Sequence, residues 1–371
     1  MVKSKVYIID TVRTPWGIPG GSLEKFMSSD LSAAALKKLL ERTGVEPSAV
    51  DQVVFGQAHP STMPNNIGHY AWLKAELPVE VPGYTVQSNT ASALQALRNA
   101  YYLIASGNEE IVIAGGADSY SAAPFVMRDV RNHFYAKDRT VIDTIEEAEV
   151  STQPEPMTRR EQYQLAHGTG PGEAEEEFAR QSRQKAAAFA AACGDQIVPV
   201  SYTDRKKGEI VISEDEWPGK EPEPGDPLAP YADGAAVTML MSAEQAEKRG
   251  IVPKAELAGF AVAGCDPKQP HTAGIRAVKK LLEKNGVSID NISALEIIEN
   301  SAKDVLKIVE TIGGNAVINP LGGAMAFGKN DGAEGIAMLQ RLVSALNDGE
   351  YGIACVYSAG GQGMAALVKA L

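Results

Sequence analysis

The stretch Val86-Gln87-Ser88-Asn89-Thr90-Ala91-Ser92-Ala93-Leu94 holds the residues best placed for chemistry. It ends a short extended segment, Gly83-Tyr84-Thr85-Val86, and opens an apolar helix expected from Leu94 to Ser106. Ser88, Asn89 and Thr90 are capping types placed where strand gives way to helix. The free N–H groups of a helix start attract negative charge, so a reactive group there has electrostatic help. Three roles stay open for Thr90: a helix cap, a nucleophile, or a hydrogen-bonding group for a substrate oxygen. A helix start contributes only about 1 kcal/mol, and a threonine hydroxyl is far less acidic than a thiol. The nucleophile role therefore needs a dedicated base.

Other reactive types are sparse. Cys193, Cys265 and Cys355 form an odd set with no paired spacing, so neither a disulfide framework nor a metal motif is expected. That usage suits a reducing cytoplasm. His59, His69, His133, His167 and His271 are scattered, and each reads as a surface or loop histidine. Arg205-Lys206-Lys207 is a short basic run that reads as a solvated cluster. The 371 residues carry a net charge of −12, which argues against nucleic acid or an anionic membrane as partner. No apolar run approaches the roughly 20 residues needed to span a bilayer, and Met1 to Val6 enters a strand without a signal-peptide core.

The elements that must position Thr90 follow from periodicity. Val6–Asp10, Val53–Gly56 and Glu110–Gly116 read as buried strands. Helices are expected after Ser29-Asp30, ending at Gly44, and from Asn66 to Ala75. Such alternation predicts an α/β protein with a mostly parallel sheet covered on both faces. The pattern also repeats. Lys37-Lys38-Leu39-Leu40-Glu41-Arg42-Thr43-Gly44-Val45 recurs as Lys279-Lys280-Leu281-Leu282-Glu283-Lys284-Asn285-Gly286-Val287. Ala114-Gly115-Gly116 recurs as Ala359-Gly360-Gly361 at nearly the same offset. The expected organisation is a first half over 1–118 plus about 231–249, and a second over 250–371. An inserted loop domain over 119–230 lies between them, with an Ala-rich helix from Glu173 to Ala192.

Several motifs resemble the thiolase superfamily, whose members make or break a carbon–carbon bond beside an acyl-CoA thioester. They include Val12-Arg13-Thr14-Pro15, Ala114-Gly115-Gly116-Ala117-Asp118-Ser119, Ile197-Val198-Pro199-Val200, Asn319-Pro320-Leu321-Gly322-Gly323-Ala324 and Gly360-Gly361-Gln362-Gly363. The resemblance covers nearly the whole chain. It implies a five-layered αβαβα fold of two duplicated α/β halves plus a loop domain. It also implies a homodimer or higher oligomer, with an acyl-CoA as substrate and no bound cofactor.

The resemblance implies site residues by position. Thr90 stands where the family has its nucleophilic cysteine. Gly328-Lys329-Asn330 replaces Gly-His-Pro, and Tyr357 replaces the second cysteine. Ile298-Glu299-Asn300-Ser301 replaces Asn-Glu-Ala-Phe. Thr90, Lys329, Tyr357, Asn300 and Glu299 are thus the candidate catalytic set. The backbone amides of Thr90 and Ala359 occupy the places of an oxyanion hole. Met157, Asn319 and Ser358 are candidate substrate contacts. A Lys beside a Tyr lowers the Tyr pKa, giving an acid/base pair for aldol-type or retro-Claisen chemistry. Cys355 shares a strand face with Tyr357. Two functions remain open at this point. One is an acyl-CoA C–C lyase or ligase without a cysteine nucleophile, of the kind that works with a small zinc-ribbon/OB acyl-CoA-binding subunit. The other is an inactive subunit that scaffolds or regulates an active thiolase; the shortened segment before Tyr231-Ala232-Asp233-Gly234 points that way.

Overall fold

A strand that is apolar on both faces must be covered on both, and the central strands here have that character. Every residue from Ile111 to Asp118, and every residue from Gly234 to Ser242, is buried. The computed structural model describes residues 4–60, 63–128, 130, 139–219 and 226–371. His133 lies outside the described residues.

The first half runs β1 (Val6–Arg13), α1 (Ser28–Thr43), β2 (Gln52–Gly56), α2 (Ile67–Lys74), β3 (Gly83–Val86), α3 (Ser92–Ala105) and β4 (Ile111–Asp118). Between β4 and the next strand of the main sheet lie β5 (Phe125–Val126), β6 (Ile142–Asp143), α4 (Thr144–Val150), α5 (Arg159–His167), α6 (Glu173–Cys193), β7 (Val200–Asp204) and β8 (Gly208–Ile212). β9 (Gly234–Ser242) then re-enters the main sheet, followed by α7 (Ala243–Arg249). The second half runs β10 (Ala255–Gly264), α8 (His271–Asn285), β11 (Ile292–Ile297), α9 (Ala302–Ile312), β12 (Val317–Ile318), α10 (Ala324–Phe327), α11 (Glu334–Ala345), β13 (Tyr351–Ser358) and β14 (Gln362–Ala370).

Among the described residues, the main sheet has ten strands in the order β12-β11-β13-β14-β10-β1-β9-β4-β2-β3. Read outward from the centre, the two sides have the same plan, and they join where β1 meets β10 antiparallel. The sheet is mixed rather than mostly parallel. β2 pairs parallel with β3 and β4, and β11 with β12 and β13. β9 and β14 return antiparallel beside β4 and β13. The expectation of a mostly parallel sheet fails because β13 turns directly into β14, a hairpin rather than a helical crossover.

Helices set the layers. α1 and α2 cover the outer face of the first half through Leu31, Leu36, Leu39 and Trp72. α3 and α11 pack on each other between the halves, with Leu94, Leu97, Ile336 and Leu339 in one core. α8 and α9 cover the outer face of the second half through Val278, Leu281, Val305 and Ile308. This is the five-layered αβαβα arrangement. Among the described residues, no helix is long and apolar enough to cross a membrane.

Candidate active site

Gly56 fixes where α3 begins. A Cβ at this position would collide with the backbone of Ser92 and Ala93, so only glycine lets the helix start sit against β2. The preceding turn closes through Ala91 N donating to Ser88 O (3.0 Å) and Ser92 N donating to Asn89 O (2.9 Å). Asn89 takes the left-handed region at φ 48°, which an Asn tolerates better than most residues. The helix opens at Ser92, and the cap position falls on Ala91 without a side-chain cap. The capping role expected of Ser88, Asn89 and Thr90 is therefore not realised, because the tight turn inserts Ala91 between Thr90 and the helix. Ser92 ties the turn instead: its Oγ donates to Asn89 O (2.6 Å) and accepts from Ser88 N (2.8 Å). Thr90 is buried and lines a cavity with Ala359. Asn89 Nδ2 donates to Ala359 O (3.3 Å), which links the two loops.

Lys329 lies on the same cavity, reached from the second half. Its backbone is clamped to the segment before β9: Lys329 N donates to Pro230 O (2.7 Å), and Ala232 N donates to Lys329 O (2.9 Å). Asn330 fixes the next position by donating to Asp118 O, Ala232 O and Gly234 O. Lys329 is only 2% exposed, and its Nζ lies 2.9 Å from Asp331 Oδ1. Asp331 Oδ2 accepts from the Tyr120 hydroxyl (3.0 Å) and lies 3.4 Å from His59 Nε2. Burial pulls the Lys329 ammonium below its ordinary value, and the Asp331 carboxylate only partly offsets this. Burial pushes the Asp331 carboxyl up, but Lys329 and His59 outweigh it and hold the carboxyl well below the usual range. For His59, burial works downward, yet the hydrogen bond to Asp331 leaves its pKa raised. A second cluster borders this one. Tyr231 stacks on Tyr120 (centroids 4.3 Å apart), donates to Glu149 Oε1 (2.6 Å) and carries the Arg159 guanidinium on its ring face (4.3 Å).

Tyr357 enters from the end of β13. It does not pair with Lys329. Its hydroxyl donates to Asp304 Oδ2 (3.1 Å), and burial, reinforced by that carboxylate, pushes its pKa well above the ordinary value. The expected lowering of the Tyr357 pKa is thus reversed, because an acid rather than an amine faces the phenol. Asn300 Nδ2 donates to Tyr357 O (2.9 Å) and lines the cavity beside it. Asp304 Oδ1 in turn lies 2.7 Å from His167 Nε2 and 3.1 Å from His271 Nδ1. Burial works upward on Asp304, but the two imidazoles outweigh it and hold the carboxyl well below its usual value.

Thr90, Lys329, Tyr357, Asn300 and Ala359 therefore meet around one cavity of about 80 Å³, on the order of half a dozen water positions. Four other expected residues do not line it. Glu299 is fully buried behind the wall, accepting from Ser182 Oγ, Asn319 Nδ2 and Met325 N. Asn319 bridges that carboxylate to the backbone of Ile297. Ser358 is buried and Met157 half-buried, both away from the lining. No thiol is among the lining residues. Cys355 faces Gly274 of α8, and burial pushes its pKa up to about 12. His59, His167 and His271 were expected at the surface or in loops, and the fold buries their side chains among acids. Asp331 and Asp304 had no local signal beyond proximity to Lys329 and Asn300.

Two family descriptions match the chain: "Thiolase, N-terminal domain" over residues 6–244 and "Thiolase, C-terminal domain" over residues 251–370. A β-ketoadipyl-CoA thiolase of Pseudomonas putida is 32% identical, with 98% of this chain and 99% of the relative covered. An acetyl-CoA acetyltransferase of Chromobacterium violaceum is 31% identical, with coverage of 98% and 99%. The crystal structure of the Bacillus anthracis acetyl-CoA acetyltransferase superposes with a TM-score of 0.91 at 30% identity, over 99% of each chain. That of the human mitochondrial 3-ketoacyl-CoA thiolase gives 0.90 at 26% identity, over 100% of each chain.

Proposed function

The chain belongs to the thiolase superfamily, and we propose that it makes or cleaves a carbon–carbon bond beside a CoA thioester without using a cysteine nucleophile. One observation carries this reading: the cavity at the α3 start is lined by Thr90, Lys329, Asp331, His59 and Tyr357, with no thiol among its lining residues. The polar groups are buried, paired and aimed at one space, as an acid/base site requires.

In the cleavage direction, the substrate is a β-hydroxy acyl-CoA, or a β-keto acyl-CoA whose β-carbonyl is attacked by water or free CoA as the acyl acceptor. For a β-hydroxy substrate, the amine form of Lys329 takes the hydroxyl proton. The Cα–Cβ bond breaks, the β-carbon leaves as a carbonyl, and the electron pair moves to the thioester oxygen as an enolate. The backbone amides of Thr90 and Ala359 hold that oxygen. Tyr357, neutral because its pKa is raised, moves its one donated hydrogen bond from Asp304 to the β-oxygen when substrate binds. Burial of Lys329 increases its amine fraction at a given pH, which favours this role. The cavity volume fits a short acyl group. Asn300 orients Tyr357 through its carbonyl, whereas Glu299 supports the wall. A homodimer fits the open edge at β3, the last strand of the sheet. A small zinc-ribbon/OB subunit is the expected helper for CoA delivery.

The test is a CoA-ester assay by chromatography on the purified chain, alone and with any co-purifying subunit, with β-hydroxyacyl and β-ketoacyl substrates. Lys329→Met and Tyr357→Phe are expected to lose about 100-fold or more, and Thr90→Ala no more than about tenfold. Absence of turnover in both preparations, together with activation of a thiolase partner, would establish the scaffolding reading instead.

A further inference from the structure

We propose that His167, His271 and Asp304 form a binding site for a divalent transition metal, with an open coordination position facing the acyl cavity. Three elements supply the donors: the last residue of α5, the first residue of α8 and the first turn of α9. Their ligand atoms all lie within 4.8 Å of one another. The two contacts to Asp304 Oδ1, at 2.7 and 3.1 Å, are shorter than the roughly 3.4 Å between tetrahedral donors with bonds of about 2.0–2.2 Å, so the three side chains open by a few tenths of an ångström around an ion. His271 Nδ1 approaches Oδ1 without forming a hydrogen bond to it. That nitrogen faces the carboxylate with no other hydrogen-bond partner among the described residues, so it is available to an ion once deprotonated.

Two imidazoles and one carboxylate select zinc, iron(II) or a similar ion over magnesium or calcium, which prefer all-oxygen cages. The other oxygen of the carboxylate accepts the Tyr357 hydroxyl, which fixes its orientation as metal-ligating carboxylates require. The histidine side chains are 1% and 7% exposed, so the ligands are held by packing. His167, Asp304 and Tyr357 line the cavity, so a vacant position would meet a substrate oxygen there. A metal in it would polarise a carbonyl, a Lewis-acid role that rests on the C–C chemistry proposed above. The binding site itself does not depend on that reading.

The full chain, stripped with EDTA, loaded with zinc sulfate and desalted, is analysed for metal content; affinity is read by competition with a chromophoric chelator. About one zinc per chain is expected. His167→Gln and His271→Gln should each weaken binding at least tenfold, while the control His69→Gln keeps the wild-type value. Thermal melts identify any variant that fails to fold. The visible spectrum of the cobalt(II)-loaded wild type provides an answer independent of variants, with bands of four- or five-coordinate cobalt expected. Zinc retention unchanged in the folded double histidine variant, or no retained zinc and no cobalt bands in the wild type, would overturn the site. One bound zinc without acyl-CoA turnover would support the site and overturn only the catalytic reading.

Discussion

Lys329→Met tests the buried ion pair at the centre of the site. The substitution keeps the length of the side chain and removes its charge. Asp331 is then left with His59 and Tyr120 as partners. Removing one member of a buried pair costs about 3–5 kcal/mol. The low end, about 3 kcal/mol, is expected here, because His59 is relieved of Lys329 repulsion and holds its proton more tightly. The pH dependence follows from Asp331. Its pKa in the folded protein lies well below the ordinary value, so it contributes stability above the unfolded carboxylate pKa and loses it as pH falls through the folded value. The deficit of the variant is therefore full at pH 7 and shrinks below about pH 4, where an unpaired carboxyl takes its proton. Lys329→Met/Asp331→Asn should recover most of the loss, since no uncompensated charge remains. Urea unfolding of the wild type, both single variants and the double variant at pH 7 gives the coupling energy. Losses in the double variant equal to the sum of the single losses would refute the pairing.

Four further outcomes are expected. Activity should rise with pH at values below those of a solvent lysine, because burial lowers Lys329 and the amine is the working form; a flat profile in wild type would remove Lys329 from the base role. Glu299→Ala strands the donors of Ser182, Asn319 and Met325, so a stability loss of at least about 3 kcal/mol is expected, with turnover per folded molecule nearly kept. Gly56→Ala forces the α3 start away from β2, so a fall in kcat larger than that of Thr90→Ala is expected in steady-state assays. Asp118 is pushed up to about 6 by burial, opposed by His59. Its folded state holds the proton more tightly than the unfolded chain, so stability falls by roughly 3 kcal/mol as pH rises from about 4 to 6. Asp118→Asn should remove that slope from urea midpoints.

The architecture was largely legible along the chain. Periodicity and the repeated Lys-Lys-Leu-Leu and Ala-Gly-Gly segments announce two similar α/β units, because a strand or helix writes its buried face into its own residues. Strand direction was less legible. β9 and β14 look like any buried strand in sequence, and their antiparallel pairing depends on what precedes them. Thr90 illustrates a local misreading: capping types stand at the junction, but the turn through Asn89 delays the helix to Ser92.

The family resemblance in the sequence pointed to Thr90, Lys329, Asn300, Tyr357 and Ala359, which line one cavity at the α3 start, and also to Glu299, Asn319, Ser358 and Met157, which do not. Tertiary structure decided what each of them does. Lys329 meets Asp331, and Tyr357 meets Asp304, rather than each other. His59 reaches Asp331, and His167 and His271 reach Asp304, across gaps that no local pattern records. The physical reason is that secondary structure reflects nearest neighbours, whereas the charge and protonation of a buried group depend on whichever distant segment the fold brings within a few ångströms.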